Sequence, residues 1–167
     1  NVVFTIVALL LLDRVGRRKL LLTGTVGLVV GLLILAVYFS SSTLQDDAPY
    51  LALVGLLLFI AAFAVGLGPV FWLLISEIFP LGLRSKAMSV STVANWGANF
   101  LVAATFLSLS KAITRQGIFF LYAGLGIIAV IVFAWKVPET KDRTLEDIQA
   151  DLVGGSEAGR DRPGAAA

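Results

Sequence analysis

Gly66-Leu67-Gly68-Pro69-Val70-Phe71-Trp72, then Glu77 and Arg84, then Asn95-Trp96-Gly97-Ala98-Asn99: this stretch decides the fold. A long apolar helix is expected to break at Gly66, Gly68 and Pro69, with Trp72 just past the break. The helix ends at Glu77, and a short connection carries Arg84. The next apolar helix then holds two amides and an indole. Buried amides are costly in lipid unless something polar meets them. Interrupted backbone at membrane depth persists only where protein or a water-filled cavity covers it. Together these features point to a polar solute between helices.

Composition agrees with a membrane-embedded chain. Hydrophobic residues make up 58% and charged residues 14% of the sequence. Soluble domains run near 45–50% and about 25%. Mean hydropathy is +0.93. Residues 20–45, 48–76, 87–110 and 116–135 carry no charge, and each run reaches the roughly 20 residues that a span needs. Residues 1–12 are apolar too, but their helix is only about 18 Å long against about 30 Å of hydrocarbon. They read as the back half of a span whose front precedes Asn1, so the chain is expected to be a fragment. They are not a signal peptide, because the positive charges follow the apolar run. The sequence has no His and no Cys, which removes the usual metal ligands. No nucleophile–base or metal-ligand constellation is present, so an enzyme is not expected, nor any cofactor.

Charge placement orients the spans. Arg14, Arg17, Arg18 and Lys19 lie in the first connection, Arg84 and Lys86 in the third, and Lys136, Lys141, Arg143, Arg160 and Arg162 in the tail. The alternate connections hold only Lys111 and Arg115. Eleven of the thirteen basic residues are therefore on one side. Cytoplasmic loops carry the excess of Lys and Arg, so that side and the C-terminus are expected in the cytoplasm. The net charge of +2 reflects this orientation. No basic soluble domain exists to bind nucleic acid.

The expected architecture is all-α: a polytopic membrane bundle over residues 1–135, with spans at about 1–12, 20–39, 50–78, 85–109 and 117–135. A cytoplasmic tail with a short helix follows at 136–152, Thr144 serving as N-cap. Residues 153–167, rich in Gly, Ala and charge, read as a disordered tail. Gly24, Gly27 and Gly31 recur at spacings of three and four. Such a stripe permits close helix contact, although glycine is also simply common in spans.

Three groups of residues are candidates for function. Asp13-Arg14-Val15-Gly16-Arg17-Arg18 makes a tight charged turn at the same face as Glu77 and Arg84. The set reads either as an interhelical ion-pair network or as ordinary solvated loop charge. Pro69 removes a backbone donor next to Gly68, which gives either a freed carbonyl near Val65 and Gly66 or a plain packed kink. Thr92, Asn95 and Asn99 share one helix face, and Trp72 and Trp96 lie well inside their spans rather than at the interfaces where Trp anchors. An indole beside amides suits a carbohydrate, whose C–H faces pack on the ring while amides meet its hydroxyls. A purely structural role for the amides stays open.

In these motifs the chain resembles the C-terminal half of a major facilitator superfamily transporter, specifically the sugar porter family. Asp13-Arg14-Val15-Gly16-Arg17-Arg18 is similar to the family's loop between helices 8 and 9. Gly68-Pro69-Val70-Phe71-Trp72 with Ser76-Glu77-Ile78-Phe79-Pro80 and Arg84 resembles helix 10 and the loop after it. Asn95-Trp96-Gly97-Ala98-Asn99-Phe100 resembles helix 11, and Val137-Pro138-Glu139-Thr140-Lys141 with Leu145-Glu146-Asp147-Ile148 resembles the tail signature.

The resemblance implies a major facilitator fold, of which this chain holds helices 8–12 of 12. It implies transmembrane transport of a monosaccharide by alternating access. Asn1, Trp72, Asn95, Trp96 and Asn99 are the implied substrate-binding positions. Asp13, Arg17, Arg18, Glu77 and Arg84 are the implied gating charges. The implied partners are a monosaccharide, the lipid bilayer of the plasma membrane and the missing N-terminal part of the same transporter. Protons stay open as a further partner, since no acid stands inside a span and either a symporter or a uniporter fits. Ala64 replaces a glutamate that animal facilitators carry in helix 10, and Asp142 replaces a tail glycine. A transporter of a polyol or another small solute is the alternative, as is a helix bundle that does not transport.

Overall fold

In the computed structural model, residues 1–137 are described. The tail helix expected within 136–152, the stretch 153–167 and the side chain of Asp13 lie outside the described residues. All regular structure within 1–137 is helical: α1 (Val2–Val15), α2 (Arg17–Ser40), α3 (Ser42–Asp47), α4 (Tyr50–Ala62), a π-helical turn (Phe63–Leu67), α5 (Gly68–Ile78) and α6 (Leu81–Lys136). Three stretches are long and apolar enough to cross a membrane: Arg17–Ser40, Tyr50–Ile78 and Leu81–Lys136. The apolar helix Val2–Leu12 is shorter.

Gly16 alone separates α1 from α2, with φ 96° and ψ 151°. Side chains rarely tolerate that conformation, which glycine adopts freely. One residue thus reverses the chain, and Arg14, Arg17, Arg18 and Lys19 become helical instead of forming a loop. The connection at 40–49 is partly helical. It contains the short helix α3, whose cap Ser41 accepts a hydrogen bond from the Leu44 amide at 3.4 Å.

The 56 residues of α6 would span about 84 Å as one rod, far more than about 30 Å of hydrocarbon. Thr114 interrupts them with φ 66° and ψ 164°. Past that point the chain returns along α2. Phe119 stacks on Phe39 near the end of α2, with centroids 5.4 Å apart and planes at 4°. Arg18, at the start of α2, donates from Nη2 to the Ala134 carbonyl. Residues 115–136 therefore run antiparallel to α2. One end of the bundle holds Gly16, Glu77 and residues 134–137, and the other holds the α2–α4 connection and Thr114.

Helix α2 is the centre of the packing. Half of its apolar window is buried, against 17% for Tyr50–Ile78 and 11% for α6. Its glycines set the distance to the third span. A Cβ on Gly66 would lie 2.5 Å from Gly24 Cα and 2.8 Å from the Leu20 carbonyl oxygen. A Cβ on Gly31 would lie 2.9 Å from both the Gly55 oxygen and the Phe59 nitrogen. Without side chains the two backbones touch, which is how membrane helices gain van der Waals contact. Leu12, Leu20, Leu21, Val70 and Leu74 form the buried cluster where α1, α2 and α5 meet, with Phe133 against it.

The break expected at Gly66, Gly68 and Pro69 takes a gentler form. The Gly68 amide bonds to the Phe63 carbonyl, five residues back, and the helix continues to Ile78. The reason lies in the backbone. Pro69 has no N–H and would leave an α-helical turn short of a donor. A wide π turn absorbs the mismatch. Pro69 then occupies the first turn of α5, where a missing N–H costs little.

Candidate functional site

The π turn delivers its residues to one side. Phe63, Leu67, Gly68, Phe71 and Trp72 line a groove of about 300 Å³ together with Asn95, Trp96 and Phe133. This is the lower end of the size range of small-ligand pockets. The helical face 63, 67, 71 repeats every four residues, and widening the turn adds 68 and 72 to the same wall. Trp72 is half-buried and meets Phe71 edge to face, with centroids 5.2 Å apart. Asn95 is half-buried, whereas Trp96 is 68% exposed. The lining thus offers apolar rings and a few polar groups, the mixture that binds a solute with both C–H faces and hydroxyls.

The residues expected to bind solute divide between places. Trp72, Asn95 and Trp96 come together. Asn99 is exposed and does not line the groove. Its Nδ2 donates to the Asn95 backbone carbonyl at 2.9 Å and to Asn95 Oδ1 at 3.1 Å. Thr92, on the same face, donates its hydroxyl to the Met88 carbonyl at 2.7 Å. Asn1 lines a separate groove of about 460 Å³ with Phe4, Val54, Leu57, Leu58, Ile60 and Ala61. Phe63, Leu67, Phe71 and Phe133 were not among the expected positions. The four-residue spacing of the first three was a readable signal; nothing local marks Phe133, which arrives from the last span.

The charged end has its own geometry. Arg17 donates from Nε at 3.3 Å and from Nη2 at 3.2 Å to Glu77 Oε1, joining the start of α2 to the end of α5. The two side chains are 17% and 23% exposed. Water still reaches them, so the pair is worth on the order of 1 kcal/mol. Arg18 bonds the Ala134 carbonyl in the last turn of α6, where a cation complements the helix dipole. Arg84 is half-buried, and its Nε has no hydrogen-bond partner among the described residues. The side chain of Asp13, another of the implied gating charges, lies outside them. No group of three or more His, Cys, Asp or Glu able to hold a metal gathers among the described residues.

Comparison with known proteins is consistent across sequence and structure. The profile of the family described as "Sugar (and other) transporter" matches residues 1–152. The chain is 43% identical to a probable polyol transporter of Arabidopsis thaliana over 164 residues, covering 96% of this chain and 32% of the relative. It is 37% identical to the galactose-proton symporter of Escherichia coli K12 over 155 residues, covering 93% of this chain and 33% of the relative. The inward-open structure of the xylose transporter XylE from E. coli superposes with a TM-score of 0.79 at 36% identity, covering 89% of this chain and 33% of XylE. The chain therefore spans about a third of the length of the relatives that it matches.

Proposed function

The chain belongs to the sugar (and other) transporter family, with the helical major facilitator fold of its relatives, and from that premise we propose that it forms part of the C-terminal half of a transporter that carries a monosaccharide by alternating access. The observation that carries this reading is the groove at the π turn, where Trp72, Asn95 and Trp96 meet. A ring face can pack on the indole of Trp72 while a hydroxyl meets the Asn95 amide. In alternating access one half of the protein rocks against the other around a midplane site. The groove opens on the surface of this chain, as a half-site awaiting its opposite wall would.

The Arg17–Glu77 pair belongs to the same reading. It ties two spans together at the end of the bundle whose excess of basic residues supports a cytoplasmic position. Asp13, Arg18 and Arg84 stand at that end, and the set acts as the inner gate of a plasma-membrane protein. Relatives described as proton symporters, such as that for galactose, support a proton as co-substrate. The 43% identity to a probable polyol transporter supports a polyol as the alternative solute.

Uptake by the full-length protein tests the proposal. Radiolabelled D-glucose and D-xylose are supplied to proteoliposomes, with unlabelled sugars and polyols as competitors. Loss of a hydrogen bond to a bound hydroxyl costs about 1–3 kcal/mol, or roughly 5- to 150-fold in affinity. Trp72→Ala and Asn95→Ala are each expected to weaken apparent affinity within that range at unchanged expression. Unchanged affinity in both variants removes the groove from the transport path. Competition by polyols alone replaces the monosaccharide with the alternative.

A further inference from the structure

We infer that Asn99 is a positioning residue that fixes the orientation of the Asn95 amide, so that the groove meets an N–H donor there and not an oxygen. This rests on the groove reading above and adds a rule of specificity to it.

The argument starts from a group whose identity is not in question, the backbone carbonyl of Asn95. A carbonyl oxygen only accepts, so the Asn99 atom 2.9 Å away must be the NH₂ nitrogen. That nitrogen only donates, so the Asn95 side-chain atom 3.1 Å from it must be Oδ1. Turning both amides over would set two oxygens against each other at the backbone carbonyl. The backbone therefore determines both side-chain orientations in sequence. Oδ1 is turned toward Asn99, which does not line the groove; in this proposal Nδ2, the opposite end of the amide, is presented to the groove, and the second lone pair of Oδ1 stays on the Asn99 side. The other nitrogen-bearing residues of the lining are Trp72 and Trp96, and an indole donates without accepting. On this proposal the side-chain groups that the chain presents to the groove are donors.

A matching solute presents oxygen lone pairs to this wall and directs its own hydroxyl protons elsewhere. A site built around one hydrogen-bond polarity rejects an analogue lacking the matching atom, because the group on the protein is then left unpaired. Fluorine in place of a hydroxyl keeps a weak acceptor and loses the donor. Hydrogen in its place loses both.

The test uses binding of D-glucose and its monodeoxy and monodeoxyfluoro analogues to the full-length transporter. In the wild type, one ring position is expected to tolerate fluorine within about threefold and to lose about tenfold with hydrogen. Asn99→Asp, assayed at alkaline pH so that the carboxylate is ionised and supplies only acceptors, turns the Asn95 amide to donate to it and leaves Oδ1 toward the groove. At that ring position the fluoro analogue is then expected to bind as poorly as the deoxy analogue. Asn99→Gln keeps an NH₂ donor and is expected to keep the fluorine-tolerant pattern. The ratio of analogues within one variant does not depend on how much of the variant folds. A wild-type ratio in Asn99→Asp overturns the proposal, and so does a change confined to a different ring position, which would make Asn99 a direct contact. Unchanged D-glucose affinity in both Trp72→Ala and Asn95→Ala removes the groove reading itself, and unchanged affinity in Asn95→Ala alone overturns the proposal. An Asn95→Ala defect with an unaltered ratio in Asn99→Asp removes only the role of Asn99.

Discussion

Substituting Gly24 by alanine probes the closest contact in the fold. The added Cβ would lie 2.8 Å from the Ala62 carbonyl oxygen and 2.9 Å from the Gly66 nitrogen, and would overlap Gly66 Cα. Comfortable contacts for carbon begin near 3.5 Å. The third span must therefore move from α2 by about 1 Å, since every obstructing atom is backbone and cannot rotate away. Overpacking costs about 1–3 kcal/mol where side chains can adjust, and here the upper end applies. A cost of about 3 kcal/mol is a factor of about 150 in the folding equilibrium. The displacement also reaches the groove, because Phe63, Leu67 and Gly68 in its lining flank Gly66. Thermal unfolding of the full-length protein in detergent, with sugar binding alongside, reads both effects. Two other glycines calibrate the scale. Gly27→Ala meets only the Ala62 Cβ, at 2.9 Å, and Gly124→Ala meets nothing within 4 Å. The expected order of damage is Gly24→Ala, then Gly27→Ala, then Gly124→Ala. A Gly24→Ala protein that melts and binds as the wild type does would refute the contact and the argument built on it.

Further outcomes follow from other parts of the bundle. Thr114 holds φ 66° and ψ 164°, a region that costs a branched residue about 1–3 kcal/mol; Thr114→Gly is expected to raise the melting temperature slightly, and a lowered one contradicts the strain. Glu77→Gln removes an ion pair worth on the order of 1 kcal/mol and is expected to shift the transporter toward inward-open, slowing uptake more than it weakens outer-face binding. Unchanged uptake, together with unchanged labelling of a cysteine placed at the α5 end, counts against the gate. Ser42 and Ser85 are both exposed and lie at opposite ends of the bundle. In an otherwise cysteine-free protein, an impermeant maleimide applied to cells should label Ser42→Cys and spare Ser85→Cys, and labelling of both or the reverse pattern overturns the orientation.

Much of this architecture is local and therefore legible in the sequence. Uncharged runs of about 20 residues can satisfy their backbone only as helices in lipid. Gly16 marks a reversal because few other residues accept its φ, and Pro69 marks a disturbed turn because it cannot donate. Trp72 and Asn95 declare themselves because their burial in a span demands a polar counterpart. Tertiary structure decided the rest, since helical periodicity says which residues share a face and not what that face meets. It set Gly24 against Gly66, brought Phe133 to the groove from the last span, and set Arg18 against the Ala134 carbonyl. It widened the turn at Gly66–Pro69 instead of breaking it, because a π turn lets the Gly68 amide reach Phe63. It also left Asn1 in another groove and turned Asn99 toward Asn95. Spacing puts those two amides one turn apart, but only the positions of the atoms show which amide faces the groove and which one holds the other in place.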